Sequence, residues 1–316
     1  MKRKLFSFLL ILGLLIATTY IIKKPTDSST FVKPIASSSY EITMRQDLLC
    51  LMLAYPEYIS GIETSDNGNV YLIMKSGQKL IYDDKRTKNA EQKMANPDIQ
   101  DMLEQPYTLT DINKLMEKDF DPGRVRVYGL LKEVYGSNKQ QIEKQLGNVN
   151  AGGRSFQFSK NNAAGDALKS VMAELIALAK SNNRVGAAAF PSSGTFNYRV
   201  ISGTDRLSPH AFGIAIDLAR DSSDYWQWAT REQGQKRLEV YPKEIVEIFE
   251  KNNFVWGGKW GHFDILHFEY RPEIILKARY FGNSSNSSEE WYKGAPFEDT
   301  LVKEYINKIE EALKLH

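Results

Sequence analysis

Cysteine and histidine are scarce in this 316-residue chain: Cys50 stands alone, and the only histidines are His210, His262, His267 and His316. One cysteine cannot close an intrachain disulfide, so the fold must hold by packing, which is compatible with an exported protein without requiring one. An excess of either charge is also missing. Forty-one basic and 39 acidic side chains leave a net charge of +2, so charge implies neither nucleic acid nor an acidic polymer as partner. There is no internal repeat and no glycine-rich phosphate cradle. What remains is an ordinary globular composition, 42% hydrophobic and 25% charged, long enough for one large or two modest domains.

Two of the scarce histidines fall in two short stretches rich in carboxylates. The first is Ser208-Pro-His-Ala-Phe-Gly-Ile-Ala-Ile-Asp217, and the second is Asp264-Ile-Leu-His-Phe-Glu269. Ile214 to Leu218 is apolar and β-branched, which predicts a buried strand. With a period of two, Ala215 and Asp217 share one face, and the small Ala215 leaves room beside the carboxylate. A straight strand would put His210 and Asp217 on opposite faces. A bend near Gly213 would bring them together, and glycine tolerates one.

In the second stretch, Trp256 to Gly261 predicts a loop and Ile265 to Tyr270 a strand. His267 and Glu269 then share a face. Asp264, three residues before His267, has the wrong parity for that face and falls in the loop before the strand. Two histidines and an aspartate form the ligand set of a catalytic zinc site, with water in the fourth position. Zinc lowers the pKa of such a water to about 7, and a carboxylate placed like Asp264 can take its proton. His262, within the aromatic and glycine loop, reads as a cleft or surface residue and not as a ligand.

The paired motifs S-x-H-x-x-G-x-A-x-D and D-x-x-H-F-E resemble the VanY-like zinc peptidases of the M15 family, the D-alanyl-D-alanine carboxypeptidases and L-alanyl-D-glutamate endopeptidases. The resemblance extends to Gly194-Thr-Phe-Asn-Tyr-Arg199, Gly203-Thr-Asp-Arg206, Tyr225-Trp226 and Trp256-Gly-Gly, and covers about residues 121–273. It implies zinc held by His210, Asp217 and His267, Asp264 as general base, and Arg199 polarising the scissile carbonyl. Arg206, Ser208 and Trp256 are expected at the substrate, and Glu269 as the partner that orients a ligand histidine. The implied substrate is the stem peptide of bacterial peptidoglycan.

Along the chain, Lys2-Arg-Lys4 precedes an uncharged run over 5–22. Eighteen helical residues would span about 27 Å, near the thickness of a bilayer core. We therefore expect residues 1–24 to be a membrane anchor, or a cleaved signal segment, on the cytoplasmic membrane. Residues 25–40 read as a linker, 41–120 as an extension with a β-hairpin, 121–282 as the peptidase domain, and 283–316 as a linker and amphipathic helix. Within these, the patterns predict helices over Asp47 to Leu53, within Pro97 to Pro106, over Ala167 to Lys180, from Pro242 to Glu250 and from Glu298 to Leu315. They also predict a hairpin of Val70–Met74 with Lys79–Tyr82, a strand around Tyr198, and a helix running from the Asp121 turn to Tyr135. Arg124 and Arg126 in that turn read as surface or ion-pair residues, with substrate contact the alternative.

The expected fold is α+β, a small and mainly antiparallel sheet carrying the metal with helices around it. The expected activity is a zinc carboxypeptidase outside the cytoplasmic membrane, with the L-alanyl-D-glutamate endopeptidase of the same family as the alternative. Two other classes compete: a non-haem iron oxygenase, since two histidines and a carboxylate can form a facial triad, and a non-catalytic wall-binding protein that keeps a zinc site. The presence of Asp264 and Arg199 argues for catalysis.

Overall fold

The computed structural model describes residues 39–282 and 290–314. The stretch 5–22 lies outside them; among the described residues no helix is long and apolar enough to cross a membrane. The architecture is α+β, with eleven α-helices and three small antiparallel sheets among the described residues.

Helix α1, Ser39–Ala54, is two turns longer at its start than the apolar pattern predicts. Leu48, Leu49, Cys50, Leu51 and Met52 are all buried, so its second half is covered on every side. Strands β1 (Ile59–Thr64), β2 (Val70–Met74) and β3 (Lys79–Ile81) follow as a meander. The expected hairpin is β2–β3. β1 was not foreseen, because Ile59-Ser-Gly-Ile-Glu-Thr64 alternates only weakly. Two short helices, α2 (Ala90–Ala95) and α3 (Ile99–Leu103), each begin with a reciprocal capping box.

The helix expected from Asp121 to Tyr135 is only its second half, α4, Tyr128–Tyr135. Gly123 turns the chain at a φ of 81°. Beyond it the carbonyls of Gly123 and Val125 accept hydrogen bonds from the Arg271 guanidinium at 2.6 and 3.2 Å. Carbonyls bound by a side chain from another element are not free to start a helix.

Helix α5 (Lys139–Gln145) leads into an unforeseen hairpin, β4 (Leu146–Ala151) with β5 (Arg154–Ser159). Its turn is Gly152-Gly153, both at positive φ, a two-residue connection that fits the twist of the strands. Helices α6 (Ala164–Ala179) and α7 (Asn183–Ala189) pack together. The segment around Tyr198 is extended but is no strand. It makes one isolated bridge, Val200 with Leu207.

The third sheet carries both motifs. It is built from β6 (Ala215–Asp217), then, past helices α8 (Arg231–Val240) and α9 (Lys243–Lys251), from β7 (Phe254–Trp256) and β8 (His267–Tyr270). The order is β6-β8-β7, antiparallel throughout. One side of this sheet is dry: Phe268 of β8 stacks on Phe249 of α9 at 3.8 Å between ring centroids. Helix α10 (Pro272–Phe281) follows β8 and packs against α1, and α11 (Thr300–Leu313) packs against α1 and β1.

The bend expected at Gly213 is present, with φ of 68°. A Cβ there would lie 2.6 Å from Leu146 Cδ2 and 3.2 Å from the Ser159 nitrogen. Gly213→Ala should therefore lower the unfolding free energy by about 1–3 kcal/mol, the cost of a non-glycine residue held in this backbone region. Urea titration measures it; an unchanged midpoint would mean that the β4–β5 hairpin gives way freely.

Candidate metal centre

Ser208 begins the site. Its side-chain oxygen faces the His210 backbone N–H at 3.4 Å and caps a short 3₁₀ turn, Pro209–Phe212, with proline at its first position. Gly213 closes the turn by donating to the His210 carbonyl at 3.1 Å. The chain then enters β6. The register of β6 on β8 places Asp217 opposite His267 and Ala215 opposite Glu269. Directly opposed residues on one face bring their side chains into reach, and the small Ala215 leaves space over Glu269.

Three atoms converge here. His210 Nε2 lies 3.2 Å from both Asp217 Oδ1 and His267 Nδ1, and His267 Nδ1 lies 2.8 Å from Asp217 Oδ1. The remaining ring nitrogens settle the tautomers. His210 Nδ1 is 2.6 Å from the Thr195 carbonyl, which can only accept, so the proton sits on Nδ1. His267 Nε2 is 3.0 Å from Glu269 Oε1, so there the proton sits on Nε2. With neutral rings, two nitrogen lone pairs and a carboxylate oxygen then face one another, a contact that either a proton on His267 Nδ1 or a metal ion among the three atoms reconciles. Ligands at 2.0–2.1 Å from a tetrahedral zinc stand roughly 3.3 Å apart, close to these separations. The Asp217 side chain keeps 28% of its surface exposed, which leaves the cluster an open side.

The electrostatics agree with a cation-seeking cluster. Burial disfavours charge on His267, but hydrogen bonds to Asp217 and Glu269 outweigh it and push the ring up to about 10. A metal would take the place of that proton. Burial likewise opposes the charge on Asp217, yet His210 and then His267 hold its carboxyl well below the usual range.

Glu269 is itself clamped. Arg126 Nε donates to Oε2 at 3.0 Å and Nη2 donates to Oε1. Arg126 and then His267 hold this buried carboxylate low against the cost of its burial. Behind it, Arg271 Nε donates to Glu273 Oε1 at 2.6 Å, and Tyr55 at the end of α1 donates to Glu273 Oε2 at 2.7 Å. The expectation of an ion pair for Arg126 thus finds a specific partner. Arg271, Glu273, Tyr55 and Thr195 were not foreseen as supports. A signal existed for the first two: Arg271 and Glu273 stand among apolar residues just beyond Glu269, at the junction of β8 and α10, where buried charges need partners.

Asp264 lies in the loop before β8, as its parity requires. Its N–H donates to the Gly257 carbonyl at 2.9 Å, and its own carbonyl accepts the His267 N–H at 3.1 Å. Gly257 permits this approach, since a Cβ there would meet the Asp264 carbonyl oxygen at 2.5 Å. Burial, with Asp217 and Asp224 adding to it and His267 opposing, pushes the Asp264 carboxyl up to about 7. A cation in the cluster would draw it down again. Tyr225 pairs with Asp264 as an isolated bridge.

The other candidates scatter. Arg199 is exposed, on the segment whose carbonyl accepts the Ser208 N–H at 3.0 Å, two residues before His210. Arg206 Nη1 donates to the Met94 carbonyl. Trp256 ends β7 instead of opening a loop. Its indole donates to the Ile265 carbonyl at 2.7 Å and stacks on Tyr241, and only 4% of the residue is exposed, so it packs the core and offers a substrate almost no surface. His262 sits 2.7 Å from Asp121 Oδ2 and outside the cluster.

Residues 202–270 match the family model described as D-alanyl-D-alanine carboxypeptidase. Over this segment, which is under half of the chain, the sequence is similar to the M15 peptidases. The segment contains His210, Asp217, Asp264, His267 and Glu269, and it stops short of Arg199 on one side and Glu273 on the other. No curated protein and no solved structure matches the chain significantly.

The geometry distinguishes two histidines of the matched segment, His210 and His262. His210→Ala should strip the metal from the purified protein, and His262→Ala should leave it at one per chain, by elemental analysis. Metal retained in full by His210→Ala would remove that residue from the ligand set.

Proposed function

We propose that the chain is a zinc peptidase acting on peptidoglycan stem peptides, with removal of a terminal D-alanine as its reaction. The observation that carries this reading is the convergence of His210, Asp217 and His267 three residues from the recessed carboxylate of Asp264. The description of the matching family model supports the choice of substrate. When bound, zinc would supply Lewis acidity towards the scissile carbonyl and the attacking water.

The chain's own residues do the rest. His210 and His267 each present one lone pair because Thr195 and Glu269 hold the proton on the opposite nitrogen. Asp264 accepts the proton of the attacking water and returns it to the leaving amine. Arg199 steadies the negative charge that develops on the carbonyl oxygen. An oxygenase would use the same three ligands but has no task for a carboxylate at Asp264. We place the site outside the cytoplasmic membrane, held there by residues 5–22; recovery of only a soluble form beginning near residue 20 would replace the anchor by a cleaved signal.

Asp264→Asn keeps the side chain's shape and removes the base. Turnover should fall by about 10²- to 10⁴-fold, roughly 3–5 kcal/mol of transition-state stabilisation, with zinc content unchanged. Parallel loss of zinc would make Asp264 a ligand. The bond is identified by incubating purified muropeptides and weighing the products. Loss of one alanine is expected, cleavage between L-alanine and D-glutamate would assign the endopeptidase, and no product from the zinc-loaded protein would overturn the reading.

A further inference from the structure

Arg124 has no part in the roles assigned above, yet its contacts lead to the site from two directions. Its Nη1 lies 3.0 Å from Asp121 Oδ2, and its side chain keeps 22% of its surface exposed. Asp121 is held in turn: Oδ1 accepts the His262 backbone N–H at 2.9 Å, and Oδ2 lies 2.7 Å from His262 Nδ1. His262 precedes Asp264 by two residues, and its ring packs edge-on against Trp226 at 4.8 Å. At the other end, the Arg124 carbonyl accepts Arg126 Nη1 at 2.8 Å, and Arg126 clamps Glu269. Arg124 is thus tied at its root to the support of His267 and at its tip to the loop that carries Asp264. Its positive charge acts on both Asp264 and Tyr225.

Asp121 Oδ2 is shared between Arg124 and His262, and Nη1 is the only guanidinium nitrogen of Arg124 bonded to protein among the described residues. The rest of a planar fork suited to a carboxylate is left over, on a residue whose charge reaches Asp264 and Tyr225. We propose that Arg124, positioned by Asp121 and His262, binds the α-carboxylate of the residue on the amine side of the scissile bond. This rests on the peptidase reading and adds the group by which the substrate is recognised. Both bonds under consideration offer that group: a terminal D-alanine carries a free α-carboxylate, and so does a D-glutamate linked onward through its side chain. His262 and Asp121 thereby gain a function although neither belongs to the metal cluster.

The test is a binding titration in the zinc-loaded Asp264→Asn protein, so it does not depend on turnover. The ligands are an N-acylated D-alanyl-D-alanine as free acid and as C-terminal amide, and an L-alanyl-D-glutamate peptide with its α-carboxylate free and amidated. In at least one pair the acid should bind about tenfold to a hundredfold more tightly than the amide, the worth of a hydrogen bond to a charged group. Adding Arg124→Gln should bring the acid down to the level of the amide, with zinc content and melting temperature held. Arg124→Lys should recover part of the preference. Acid and amide binding alike, or a preference that survives Arg124→Gln, overturns the assignment; should Arg124→Gln not fold, a preference undiminished by Arg124→Lys does so. Turnover of the same peptides by the unmutated protein judges the peptidase reading separately.

Discussion

The pairing of Asp217 with His267 across β6 and β8 is the constraint on which the rest of the structure depends. A strand pair has a period of two, so a slip of one residue would turn Asp217 away from His267 and Ala215 away from Glu269. Both neighbours of Asp217 in β6 and its flanks, Ile214, Ile216 and Leu218, are fully buried, so the slip would also push apolar side chains to the wrong face. Core packing and site geometry therefore enforce the same register. His210 joins from outside the sheet, and a capped turn plus a left-handed glycine set its approach.

The opposite side of His267 is held by charge. Glu269, Arg126, Arg271 and Glu273 are all buried, and burying charges costs several kcal/mol each unless partners and hydrogen bonds compensate. Here the compensation is complete enough to run unbroken from the His267 ring to Tyr55, just past the end of α1. Such a chain is poor evidence for added stability. Its effect is geometric: it fixes the tautomer and plane of a ring that must present Nδ1 and not Nε2. Helix α1, far from the motifs in sequence, is thereby part of the frame of the site.

The two sides of the cluster then differ in a way that suits peptide hydrolysis. On one side are buried, neutralised charges that fix orientation. On the other, Asp217 keeps 28% of its side chain exposed, and Asp264 pairs with Tyr225, which the charges of Arg124 and Arg199 reach.

By itself the sequence determined the candidate ligand cluster and its local geometry. The spacing of His210, Gly213 and Asp217 required a bend, the parity of Asp264 against His267 required a loop, and the scarcity of histidine singled out the cluster, because all of these follow from neighbours within ten residues. The amphipathic stretches at α6, α9 and α11 were legible for the same reason. Tertiary structure alone decided what lies opposite what. It put Arg126 on Glu269, Thr195 under His210, Trp256 inside the core and Tyr55 at the end of a charge chain 212 residues from His267. It also kept residues 123–127 out of the helix by lending the carbonyls of Gly123 and Val125 to Arg271. Each is a contact between elements far apart in the chain, and no local pattern encodes the partner, only the need for one: a charged residue in an apolar strand announces that it must be paired, and the fold supplies the pair.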